Sequence, residues 1–139
     1  MNEVLLQKKE SIERCVEQAR RYYEMPSELS FDEDFLKQDA IAMNLQRACE
    51  CAIDMANHMI RTRKLGLPRS SRGSFELIRQ GELIDESTTQ LMKSMIGFRN
   101  ILVHNYQEVD LAIVKGIMET RLDDLIRFAD QIVKKSTHI

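Results

Sequence analysis

The sequence has no Trp, two Pro, five Gly and only 6% aromatic residues. That scarcity argues against a sheet protein, because strands draw on β-branched and aromatic side chains and are joined by Gly- and Pro-rich turns. Three cysteines, Cys15, Cys49 and Cys51, form an odd count without metal-ligand spacing. They read as free thiols of a reducing cytoplasm. No apolar run approaches the ~20 residues of a membrane span, and Met1-Asn2-Glu3 lacks the basic-then-apolar order of a signal peptide. An excess of positive charge is missing too. The 20 Lys and Arg against 22 Asp and Glu leave a net −2, which argues against gripping nucleic acid by bulk electrostatics.

What is present suits an all-α domain. The 139 residues are 43% hydrophobic and 30% charged, enough for one domain over 1–139 with a real core. Leu5, Ile12, Cys15, Ala19 and Tyr22 recur at helical spacing and predict a first helix over 2–24, ended at Pro26. Ile41, Leu45, Ala48, Ala52, Met55 and Met59 step by four and three, the seam of a packed bundle, within a second helix over about 32–64. Gly66-Leu67-Pro68 ends it, and 70–74 reads as a flexible connection to a short helix over 74–80. Asp85 to Ser87 offer the cap of a fourth helix running to about His104, with Asn105 at its end. Asp110 can cap a last helix over 111–135, with Leu111, Val114, Met118, Leu122, Leu125, Ala129 and Ile132 on one face. The sum is an antiparallel bundle of four to five helices.

Charge is uneven along the chain. From Met55 to Ser74 there is no acid, while Arg61, Arg63, Lys64, Arg69 and Arg72 supply five bases. This segment is a candidate RNA contact, and equally a solvated loop.

The most chemically loaded stretch is Phe98-Arg99-Asn100-Ile101-Leu102-Val103-His104-Asn105-Tyr106. On a helix, Leu91, Met92, Met95, Ile96, Phe98, Leu102 and Val103 gather on one face with Arg99 in its middle. A guanidinium there must be paired or open into a cleft, since an uncompensated buried charge costs several kcal/mol. Arg fits a phosphate and neutralises charge that develops on it, and His titrates near neutrality as a general acid or base. Phosphodiester cleavage by an internal 2′-hydroxyl needs those two functions and no metal, and no cluster with metal-ligand spacing is present.

Five residues apart, Arg99 and His104 project about 140° from each other on a regular helix. Gly97 and Asn100 lie on the His104 side. One chain offers one well-placed His, whereas cleavage usually wants both an acid and a base, and a two-fold dimer would supply the pair. Plainer readings stay open at this point. His104 can be a cap that offsets the helix dipole, Tyr106 a core aromatic, and Arg99 the ion-pair partner of an acid such as Asp54. His58 and His138 read as structural or incidental.

At these residues the sequence resembles the HepT-like toxins of the HEPN superfamily of helical domains. Arg99-Asn100-x3-His104-x-Tyr106 matches their Arg-x4-His-x-Tyr signature, with the polar Asn after the Arg. The likeness extends to chain length, helix order and the place of the motif before the last long helix. The resemblance implies a metal-independent endoribonuclease toxin without cofactor, with Arg99 and His104 catalytic, Asn100 orienting one of them, and a homodimer whose motifs share a cleft. It implies as partner an MntA-like nucleotidyltransferase antitoxin that neutralises the toxin by transferring AMP from ATP to Tyr106. Added phosphates beside Arg99 would occupy the guanidinium and repel an RNA backbone. The alternatives are a non-catalytic, nucleotide-binding helical partner of a nucleotidyltransferase and, more simply, a dimerisation bundle.

Overall fold

The computed structural model describes residues 2–137, so His138 lies outside the described residues. Six α-helices follow one another: α1 (Glu3–Glu24), α2 (Phe35–Arg63), α3 (Ser71–Gln80), α4 (Glu86–His104), α5 (Leu111–Thr120) and α6 (Leu122–Ser136). A single 3₁₀ turn, Tyr106–Glu108, separates α4 from α5, and no strand occurs among the described residues.

Five of the six helices start on a short polar side chain that accepts an orphan backbone N–H. Asn2 accepts from Val4 and Leu5, Asp34 from Lys37, Ser70 from Gly73, Asp85 from Thr88 and Asp110 from Ala112. These caps set the register of the bundle. Asp34 starts α2 three residues later than the periodicity predicts, and Ser70 starts α3 three residues earlier. The serines expected to form a flexible connection therefore cap α3 and enter its first turn. Lys64, in the left-handed conformation at φ 55°, closes α2, and Gly66 at φ 126° turns the chain toward α3.

The expected last helix is two helices. Thr120 Oγ1 bonds back to the Gly116 carbonyl at 2.7 Å, and Arg121 follows with φ −120°. A back-bonding threonine one turn beyond a weak helix former bends the backbone. Asp123 and Asp124 then favour a fresh N-terminus, where carboxylates meet the positive end of the helix dipole. Asn105 does follow α4, with φ −148° rather than a left-handed cap.

Helix α2 is the central element and packs against α1, α3, α4 and α6. Its seam residues Ile41, Leu45, Ala48, Ala52, Met55 and Met59 are all buried, and Ala48 and Ala52 permit a close helix approach. Phe75 of α3 and Phe128 of α6 meet at 5.3 Å between ring centres and close the core beside it. Lys8–Asp54, Lys9–Asp130 and Arg20–Asp123 tie α1 to α2 and α6 at 2.6–2.9 Å. Four stripe positions depart from expectation. Tyr22 and Val103, each near a helix end, are exposed, and Leu91 and Leu111 are only half-buried.

Candidate active site

Helix α4 is hydrogen-bonded to its end. Asp85 fixes its start through Thr88 N at 2.7 Å, and Asn105 N still reaches the Ile101 carbonyl at 2.8 Å. Regular geometry therefore runs through Arg99 and His104, and the two side chains leave the helix about 140° apart. Met92, Met95, Ile96, Phe98 and Leu102 anchor the helix in the core, so the polar motif residues are carried on a rigid rod.

Arg99 points to the α2 side. Its side chain is 22% exposed, Nη1 donates to Asn100 Oδ1 at 3.0 Å, and Nη2 stands 3.6 Å from Glu50 Oε1. Nε is buried with no hydrogen-bond partner. A buried donor left unmet costs about 1–3 kcal/mol, so this guanidinium is held in place but not satisfied. Asn100 is the residue that fixes its fork. The acid beside Arg99 is Glu50, in place of the expected Asp54, which is engaged by Lys8 at 2.8 Å. Glu50 also accepts from Gln46 at 3.1 Å, which leaves its carboxylate shared rather than dedicated to Arg99. Behind the guanidinium, burial pushes the fully buried Cys49 thiol up to about 12, against the pull of the Arg99 charge.

His104 is the last residue of α4, exposed, and hydrogen-bonded to no described residue. Tyr106 stands in the 3₁₀ turn and is 42% exposed, so it is not the core aromatic that a continued helix would make it. Its hydroxyl donates to Asp39 of α2. Desolvation, then this carboxylate, pushes the phenol up to about 12. Two surface cavities flank the pair. One, of about 470 Å³, is bounded by Phe35, Gln38, Gln107 and Val109, and the other, of about 340 Å³, by Met43, Gln46 and Leu102. Asp39, Ala42 and Tyr106 belong to both. A larger cavity, of about 740 Å³, opens elsewhere, between the α3–α4 turn and the end of α6, and no motif residue lines it.

The structure thus joins Arg99 to Asn100 and Tyr106 to Asp39, and leaves His104 apart. The basic segment is not one patch. Arg61 and Arg63 end α2, Lys64 caps it, and Arg63 donates to the Lys135 carbonyl at 2.8 Å. Arg69 lies in the loop before α3. Arg72 lies over Gly97 of α4, where a Cβ would come within 3.9 Å of its guanidinium, two turns before His104 on the same helix face. Of the five bases it is Arg72 that meets α4 at Gly97. His58 contacts Asn2, the cap of α1, and burial lowers its pKa, consistent with a structural role. Among the described residues no three His, Cys, Asp or Glu side chains group as a metal site.

Asp39 and Glu50 were invisible to spacing arguments. Asp39 is 67 positions from Tyr106, and only the packing of α2 against the end of α4 brings them together. Glu50 and Asp54 are one turn apart on the same face of α2, and the sequence does not tell which faces α4.

An all-helical bundle that presents Arg-Asn and His on the last turns of one core helix, and Tyr in the turn after it, is the arrangement of a HEPN-type domain. The comparisons make the class specific. The model of the family described as "Ribonuclease HepT-like" matches residues 12–132, and the chain belongs to that family. It is 42% identical over 132 residues, 95% of this chain and 98% of the relative, to the mRNA nuclease HepT of Shewanella oneidensis. The fold superposes with a TM-score of 0.89, at 41% identity over 97% of this chain and 99% of the other, on a tri-AMPylated HEPN toxin of Shewanella oneidensis solved in complex with an MNT antitoxin. A toxin–antitoxin structure with AMP-PNP matches with a TM-score of 0.88, at 42% identity over 95% and 99% of the two chains.

Proposed function

We propose that this chain is a single-domain, metal-independent endoribonuclease, the toxin of a toxin–antitoxin pair, acting on RNA in the cytoplasm. The observation that carries the reading is Arg99. A guanidinium held by Asn100, with a buried Nε left unpartnered, is preorganised for an incoming phosphate rather than for the fold. In the proposed reaction a ribose 2′-hydroxyl attacks the adjacent phosphorus, Arg99 stabilises the negative charge that develops on the phosphorane oxygens, and His104 moves the proton. Asn100 keeps the fork of Arg99 aimed.

Because Arg99 and His104 diverge on one helix, the working site combines Arg99 of one chain with His104 of a second copy in a homodimer. The exposed Ile101 and Val103, on the turn of α4 between them, supply apolar surface for that contact. Arg72, beside Gly97, lies on the approach to His104 and steers the RNA backbone. Arg61, Lys64 and Arg69, at the end of α2 and in the loop after it, are further candidate RNA contacts apart from that approach. Neutralisation is AMPylation of Tyr106 by an MntA-like nucleotidyltransferase antitoxin. The AMPylated relative with its antitoxin supports this step, and so does the exposed position of Tyr106 between two cavities.

The test is cleavage of labelled RNA in EDTA by the unmodified chain beside Arg99→Ala and His104→Ala. Cleavage by the parent alone is expected. A folded parent that leaves several RNAs intact would shift the assignment to a helical partner that presents nucleotide to a nucleotidyltransferase.

A further inference from the structure

The acceptor of the proposed modification is a poor nucleophile as it stands. With the phenol pushed up to about 12, roughly one Tyr106 hydroxyl in 10⁵ is ionised at neutral pH. A bond from Oη to phosphorus forms only as the proton leaves, so transfer needs a base in contact with that hydroxyl. Asp39 is that group. It already accepts the hydroxyl's hydrogen bond, and it lines both cavities that flank Tyr106. The remaining residues of both linings are apolar or amide-bearing, from Phe35 and Gln38 to Gln46 and Gln107, with no second carboxylate and no cation.

We infer that Asp39 is the general base for nucleotidyl transfer onto Tyr106, so that the toxin supplies part of the chemistry of its own neutralisation. The inference rests on the reading of Tyr106 as the modified residue. As Tyr106 Oη attacks the α-phosphorus of an antitoxin-bound nucleoside triphosphate, the Oη–P bond forms and the bond from that phosphorus to the pyrophosphate oxygen breaks. Pyrophosphate leaves with the electron pair, the phenol proton passes to the Asp39 carboxylate and then to water, and nothing is oxidised or reduced. A purely structural role is a weak competitor. Both residues are exposed, and exposed polar pairs contribute ~0–1 kcal/mol to a fold.

The experiment is single-turnover transfer of labelled AMP from ATP to the full chain by its cognate antitoxin, at saturating antitoxin, across about pH 7 to about pH 9. Asp39→Asn, Asp39→Glu and Tyr106→Phe are compared with the parent. Tyr106→Phe takes no label. Asp39→Asn transfers ~100-fold more slowly at about pH 7 and recovers ~tenfold per pH unit as phenolate replaces the missing base, while the parent stays flat. Asp39→Glu keeps a flat profile, and half-saturation by antitoxin is unchanged in both Asp39 variants. Transfer by Asp39→Asn at the parent rate, or slowed with a flat profile, or altered only in half-saturation, overturns the inference. Label on Tyr106→Phe at the parent level instead overturns the choice of Tyr106, and the role of Asp39 with it.

Discussion

Replacing Arg99 by Met separates a catalytic arginine from a structural one. Met keeps most of the apolar stem in the slot between α2 and α4 and removes the charged fork. On the cost side, the variant loses the 3.0 Å bond to Asn100, about 1.5 kcal/mol for a charge-assisted hydrogen bond. It also loses the 3.6 Å approach to Glu50, about 0.5 kcal/mol or less because Glu50 is 43% exposed. On the gain side, the buried and unpartnered Nε disappears, which returns about 1–3 kcal/mol. The two sides nearly cancel, and stability should stay within about 1 kcal/mol of the parent, a shift of about 4 °C or less in Tm. Cleavage should fall by a factor of ~10²–10³ or more, the usual effect of removing one preorganised donor to a developing oxyanion. Calorimetry and cleavage of labelled RNA on the same preparation check both. A Tm drop beyond about 8 °C would make Arg99 a tie of the bundle, and cleavage retained in a folded variant would remove it from the chemistry.

Three further outcomes follow from the packing and the charges. Gly66→Ala should cost about 1–3 kcal/mol by chemical denaturation, since φ 126° is strained for any residue with a Cβ even where space is free. Phe128→Ala should cost about 3–5 kcal/mol, because the ring is fully buried against Phe75 and the bundle cannot close the void. Tyr23 is held neutral up to about 12 by burial and by its 2.8 Å bond to Glu119, against 10.0 in the unfolded chain. Its contribution is therefore fully present below pH 10 and lost as pH rises toward about 12. Tyr106 acts with the same sign, so the double variant Tyr23→Phe, Tyr106→Phe should flatten the fall in stability over that window.

The helices were legible where an apolar stripe coincides with a polar cap, and every stripe residue of α2 is where the periodicity puts it. Periodicity failed where a cap or a side-chain bond overrides it. Ser70 moves the start of α3, and the Thr120 hydroxyl on Gly116 divides the last helix without interrupting its apolar face. At the site, the residue types and the angle between Arg99 and His104 were local facts of one helix and could be read directly. Their partners could not. Glu50, Asp39 and the approach of Arg72 to Gly97 are tertiary contacts across 25 to 67 positions, set by how α2 and α3 pack on α4.

Mixing two inactive chains shows whether Arg99 of one chain works with His104 of another. Protomers carrying Arg99→Met and His104→Ala are co-refolded, and the mixed dimer is isolated through two different affinity tags. It retains one Arg99 and one His104, on different chains. RNA cleavage in EDTA should return to roughly half the parent rate, one intact site of two. A mixed dimer as inactive as either parent variant would show that the two residues act within one chain, and would contradict their pairing across the dimer.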